Sequence, residues 1–81
     1  MKKTIEVREM LQYLADDWAM THRNYEQYGN DPRMHTRTSW CIGMKEMAEA
    51  LIGVPVNLKR DGTLTIGLDG EETLIVANEC I

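Results

Sequence analysis

The sequence GNDPRMHTR at residues 29–37 separates two long amphipathic segments and decides the fold. Gly29 suits the left-handed position that ends a helix. Asp31 followed by Pro32 has the pattern of an N-cap and a first helical residue, where the missing N–H of proline costs nothing. The stretch therefore predicts the end of one helix and the start of another, folded back as a hairpin.

The segment before this junction predicts a first helix over about residues 4–28, with Thr4 as its N-cap. Polar residues such as Gln12 and Asp16 fall on its opposite, solvent side. A strand near residues 3–7 is the alternative for its start. The apolar face is defined by helical spacing, and its members are Val7, Met10, Leu11, Leu14, Ala15, Trp18, Thr21, His22, Tyr25 and Tyr28.

The segment after the junction predicts a second helix over about residues 32–52. Gly43 interrupts it at a cost of about 1 kcal/mol relative to alanine, and a glycine there allows close contact with a neighbouring backbone. Gly53 and Pro55 end the helix. The predicted apolar face contains Trp40, Cys41, Met44, Met47, Ala48, Leu51 and Ile52.

Beyond residue 53 the apolar period changes to 2, which predicts strands at about 54–59, 63–68 and 73–80. A two-residue loop between the first two strands would put their apolar residues on opposite faces. A three-residue loop, Arg60 to Gly62, keeps them on one face. We therefore predict a type I turn followed by a left-handed Gly62, with these pairs: Leu58 with Leu64, Val56 with Ile66, and Val54 with Leu68.

Together these elements predict one α+β domain over residues 1–81, in the order ααβββ. A two-helix antiparallel hairpin packs on a small three-stranded antiparallel meander. The apolar run 74–77 then lies on an edge strand, which is an aggregation risk unless it is covered. A homodimer, formed by edge pairing or through the second face of the sheet, is the favoured solution. Cover by long side chains or by the N-terminal residues is the alternative.

Composition narrows the class of protein. A net charge of −4 disfavours nucleic acid as a partner, because phosphate binding needs a basic face. No apolar run is long enough for a membrane span, and no apolar segment follows Met1 as in a signal peptide. Cys41 and Cys80 are too few for a disulfide scaffold. We expect a cytoplasmic protein with no cofactor and no metal site, since its histidines and cysteines form no chelating pair.

The polar end of the helical hairpin is the candidate ligand site. Helix N-termini with arginine nearby bind anions such as phosphates, nucleotides or acidic side chains. The competing interpretation is that Arg37 pairs with Glu26 or Asp31, and that His22 is a half-buried imidazole. The predicted ligand-binding residues are His22, Tyr25, Arg33, His35, Arg37 and Trp40.

Catalytic residues are not evident in the sequence. Cys41 lies on an apolar face, and the adjacent Asp16 and Asp17 point in different directions on a helix. Glu46 and Glu49 fall on an outer face, as solubilising charge. The sequence thus predicts a small non-enzymatic binding or regulatory module that acts through protein–protein contact and is homo-oligomeric. A protein that binds or sequesters an anionic small molecule is the alternative.

Overall fold

A computed structural model describes residues 6–29 and 32–78 of the chain. Two helices precede three short strands that form one antiparallel sheet in the order β1-β2-β3. The predicted ααβββ order is confirmed. The elements are α1 (Val7–Tyr28), α2 (Pro32–Ile52), β1 (Val56–Leu58), β2 (Leu64–Ile66) and β3 (Thr73–Ile75).

The first helix begins three residues later than predicted. Glu6 is the extended residue before it and makes no side-chain capping bond. The predicted cap, Thr4, lies outside the described residues. At the other end Gly29 has a φ of 68° and donates its N–H to the Tyr25 carbonyl at 2.8 Å. The positive φ at Gly29 confirms that this glycine ends α1.

The second helix has the predicted limits. It begins at Pro32, and the predicted cap Asp31 lies outside the described residues. Gly53, with a φ of 76°, donates its N–H to the carbonyl of Glu49 at 2.9 Å and ends the helix.

The helices run antiparallel, since Tyr13 contacts Trp40 while Met20 contacts Arg37. Both pack on one face of the sheet. Leu14 of α1, Cys41 of α2 and Val56 of β1 have no exposed surface, so both helices and the sheet contribute to a single core. The buried apolar residues are Leu11, Leu14, Ala15, Cys41, Ala48, Val56 and Leu64.

The β1–β2 turn has the predicted geometry. Lys59 donates its N–H to Thr63 O at 2.9 Å, and Gly62 donates its own to Lys59 O at 3.2 Å. Gly62 has a φ of 89°, and none of the described non-glycine residues has a positive φ. The three-residue loop with a left-handed glycine is thereby confirmed. The register is also as predicted, with Val56 opposite Ile66, Asn57 opposite Thr65, and Leu58 opposite Leu64.

All three strands are shorter than the predicted ranges of 54–59, 63–68 and 73–80. Gly67, with a φ of 114°, donates its N–H to Pro55 O at 2.9 Å and then turns the chain away from β1. Val54 and Leu68 therefore lie beyond the ladder, and both are exposed.

The chain that follows β3 bonds to α1 and not to another strand. Gln12 Nε2 donates to the Val76 carbonyl at 2.8 Å, and Asp16 Oδ1 accepts from the Asn78 N–H at 2.7 Å. Gln12 and Asp16 were expected to face solvent; both remain partly exposed, but each also bonds to the chain after β3. The spacing of apolar residues in α1 could not show that the backbone groups of a segment more than 60 residues away would need hydrogen-bond partners on this helix.

Candidate functional site

A surface helix normally presents charge to solvent, and after its first turn α2 presents little charge at its exposed positions. Among the α2 residues whose burial is described, Cys41 and Ala48 are the buried ones, as predicted. Of its exposed residues between positions 39 and 51, Glu46 alone is charged. The predicted apolar face is therefore divided: part packs in the core, while Trp40, Met47 and Leu51 are about half to two-thirds exposed, at 48%, 65% and 64%.

A stripe of exposed, uncharged residues runs along one side of α2 and is called here the outward seam. Their spacing alternates between four and three residues, as in a coiled-coil seam. Gly43 lies at its centre, and a Cβ added to Gly43 would meet no atom within 4 Å. The helix therefore carries the cost of this glycine without any contact inside the described chain that requires it. The outward seam consists of Thr36, Trp40, Gly43, Met47 and Ala50, all exposed.

Beside the seam, an ion pair joins the two helices. Arg37 Nη2 donates to Asp17 Oδ1 at 2.6 Å, and the Cys41 thiol donates to Asp17 Oδ2 at 3.1 Å. Asp17 is only 8% exposed, although it is an acid. Tyr13 and Trp40 lie beside this pair and make an edge-to-face contact, their ring centroids 6.0 Å apart. The cluster fixes the register of α1 against α2.

The placement of Arg37 corrects two expectations. Arg37 was predicted to face His22 and Tyr25, or to pair with Glu26 or Asp31; Asp31 lies outside the described residues. The structure pairs Arg37 with Asp17. Arg37 and Trp40 line a depression of about 310 Å³ beside Tyr13, away from His22. The physical reason is that the nearly buried Asp17 carboxylate requires a cation, and Arg37 meets it across the helix pair.

His22 and Tyr25 lie where the sequence predicted, at the end of the hairpin. With Thr38 they line a pocket of about 490 Å³, together with Trp18 and Arg60, which the sequence had not assigned to a site. Arg33 and His35 are exposed on the first turn of α2, and each already makes an interaction. The six predicted ligand residues are thus distributed over separate places on the surface.

Glu49 has a structural role that the sequence did not show. It was predicted to be solubilising charge, yet Glu49 Oε2 accepts the Val56 N–H at 2.8 Å and Oε1 accepts from Lys45 at 3.1 Å. The Val56 hydrogen bond, and then the Lys45 ammonium, lower the pKa of Glu49. Glu49 thereby positions the first residue of β1 against the end of α2.

The thiol of Cys41 is the candidate nucleophile of the core, and its surroundings make it a poor one. Burial, followed by the hydrogen bond to Asp17, raises the pKa of Cys41 to about 12. A thiol needs a lowered pKa to act as a nucleophile near neutral pH. Asp16 bonds to Asn78 while Asp17 bonds to Arg37 and Cys41, so the two acids do not act together. Within residues 6–29 and 32–78, no three potential metal ligands cluster.

We expect Cys41 to be almost inert to alkylation in the folded protein. The raised pKa reduces the thiolate fraction about 1,000-fold, and burial adds to this protection. In a Cys80→Ser variant, iodoacetamide at pH 8 should modify Cys41 at least about 100-fold more slowly than it does in urea. Mass spectrometry of quenched samples measures the rate, and rapid modification under native conditions would contradict the described environment.

Comparison with known proteins found no matching family model, curated protein or solved structure. Neither helix, over its described residues, is long and apolar enough to cross a lipid bilayer. The functional interpretation therefore depends on the geometry of this chain.

Proposed function

We propose that this protein is a non-enzymatic binding module that acts through protein–protein contact at the outward seam of α2, and that two copies bind each other there. The single observation that carries the proposal is the exposed stripe of uncharged residues along one side of α2. Packing a partner helix on this stripe would remove its apolar surface from water, which favours association.

The seam is complementary to itself. If a second α2 lies antiparallel, with a two-fold axis at the level of residue 45, Gly43 faces Met47 and Trp40 faces Ala50. Each large side chain then meets a small one, as close helix packing requires. The open space above Gly43 would hold the Met47 side chain of the other copy. Two-fold symmetry makes every favourable contact occur twice.

Two other surfaces are less suited to association. The outer face of the sheet carries Glu72, whose Oε1 accepts from Thr65 at 2.6 Å and from Lys59 at 2.8 Å. Packing that face on another protein would bury this polar group. The edge of β3 is short, because the backbone of Val76 and Asn78 is already bonded to α1. Edge pairing therefore has few free backbone groups available.

The seam is tested by substitutions that change association without weakening the fold. Gly43→Leu places a better helix former at an open position, so the free energy of unfolding of one copy should not fall. The leucine side chain nevertheless fills the space above residue 43 that the Met47 side chain of the other copy would occupy. Met47→Glu puts a charge into the contact. Each change occurs twice per dimer, at about 1.5 kcal/mol or more each time, so the dissociation constant should rise at least about 100-fold.

Leu68→Glu is the matched control, since Leu68 is 61% exposed and Met47 is 65% exposed, and Leu68 lies in the loop after β2. It should leave the dissociation constant within about threefold of the unmodified protein. Sedimentation velocity over a dilution series measures all three variants. Equal association of the Gly43→Leu, Met47→Glu and unmodified proteins would reject the seam as the interface.

A further inference from the structure

The pocket near the end of α1 and the start of α2 shares no residue with the outward seam. We infer that it binds a flat aromatic molecule carrying one anionic group. About 490 Å³ falls within the range of small-molecule sites. This inference stands independently of dimer formation.

The walls of the pocket are suited to a flat ring. Trp18 donates its indole N–H to the Lys59 carbonyl at 2.8 Å, so the hydrogen-bonding capacity of that ring is used and its apolar surface remains. His22 is held against the backbone of Gly62, where an added Cβ would approach His22 Cγ to 2.9 Å. Tyr25 adds a third ring. Trp18 and His22, fixed in this way, can stack on a planar ligand with little further ordering.

The charges at the rim favour an anionic group on that ligand. Glu26 lies 3.4 Å from His22 Nε2, and Asp61 accepts two hydrogen bonds from Thr63, so both acids already have partners. Arg60 lines the pocket from the β1–β2 turn and forms no ion pair with the described residues. A guanidinium in this position can bind a carboxylate or phosphate through two parallel hydrogen bonds.

Three indole derivatives of similar size test the inference: indole-3-acetate, which is anionic, tryptophol, which is neutral, and tryptamine, which is cationic. Each is titrated to 20 mM into ¹⁵N-labelled protein. The indole N–H signal of Trp18 reports binding, and that of Trp40, which lies outside the pocket, is the internal control. We expect saturable shifts at Trp18 with a dissociation constant on the order of 1 mM for indole-3-acetate, and weaker binding in the order tryptophol, tryptamine.

Arg60→Gln separates the contribution of charge from that of the rings. In this variant, indole-3-acetate should bind about tenfold more weakly, while tryptophol binding stays unchanged. Absence of a Trp18 shift at 20 mM, or equal shifts at Trp40, would overturn the site. Equal binding of indole-3-acetate by Arg60→Gln and the unmodified protein, or tightest binding of tryptamine, would overturn the assignment of an anionic ligand.

Discussion

Replacing Asp17 by alanine should lower the free energy of unfolding by about 2–3 kcal/mol. The substitution leaves the Arg37 guanidinium without its carboxylate and removes the acceptor of the Cys41 thiol. Breaking a fully buried ion pair costs about 3–5 kcal/mol. We expect less here, because the side chain of Arg37 is 39% exposed and water can solvate part of it. Urea unfolding at one fixed protein concentration measures the loss, since association adds to apparent stability.

Asp16→Ala is the matched control, one residue away on the same helix. Asp16 also bonds through its carboxylate, to Gln12 and to Asn78, but it has no ion pair among the described residues and the Asn78 contact is exposed to solvent. Its loss should cost about 1 kcal/mol or less. A double-mutant cycle of Asp17→Ala with Arg37→Ala should show that the double variant is more stable than the sum of the two single losses predicts. Equal losses for Asp17→Ala and Asp16→Ala would contradict the central role of this pair.

Replacing Gly62 by alanine should cost about 3 kcal/mol, from two separate physical causes. The positive φ of 89° is strained for any residue with a side chain, at about 1–2 kcal/mol. The new Cβ would also lie 2.9 Å from Cγ of His22, so the turn and α1 must move apart, which adds about 1–2 kcal/mol. Urea unfolding at fixed protein concentration measures the sum.

Gly70 separates the two causes. Its φ of 87° is close to that of Gly62, but a Cβ added there would meet nothing within 4 Å. Gly70→Ala should therefore cost only the strain of about 1–2 kcal/mol. Adding His22→Ala to Gly62→Ala removes the steric clash. The further loss of stability caused by Gly62→Ala should then fall to that caused by Gly70→Ala. If Gly62→Ala and Gly70→Ala are equally destabilised, the turn does not pack on His22 as described.

Local patterns in the sequence were sufficient for the element order and the hairpin register. A one-residue shift between β1 and β2 would have turned Val56 away from Ile66, so the alternation of apolar residues specified the pairing. Gly29 and Gly53 ended the helices where their free choice of φ was needed. These features depend on neighbouring residues, which the sequence displays directly.

The candidate site depended on contacts that a helical wheel does not contain. Helical spacing assigned a single apolar face to α1, whereas in the structure one part of that face contacts α2 and another part contacts the sheet. Asp17 lies on the side towards α2, and Trp18 lies on the side towards the β1–β2 turn. The Arg37 guanidinium consequently pairs with Asp17, and the His22 ring packs against Gly62. A wheel of α2 likewise could not show that Trp40 and Met47 remain exposed, because exposure depends on how few elements pack on that helix.

The exposed Gly43 is the one signal in the sequence that pointed to the outward seam. Its suggested close contact with a backbone is absent inside the described chain, which leaves another copy as its partner in the proposed dimer. The chain has a mass of 9.3 kDa. Sedimentation equilibrium of the unmodified protein should give twice that mass at high micromolar concentration, returning to one chain on dilution and in the Gly43→Leu variant. A single-chain mass for the unmodified protein throughout that concentration range would contradict the account.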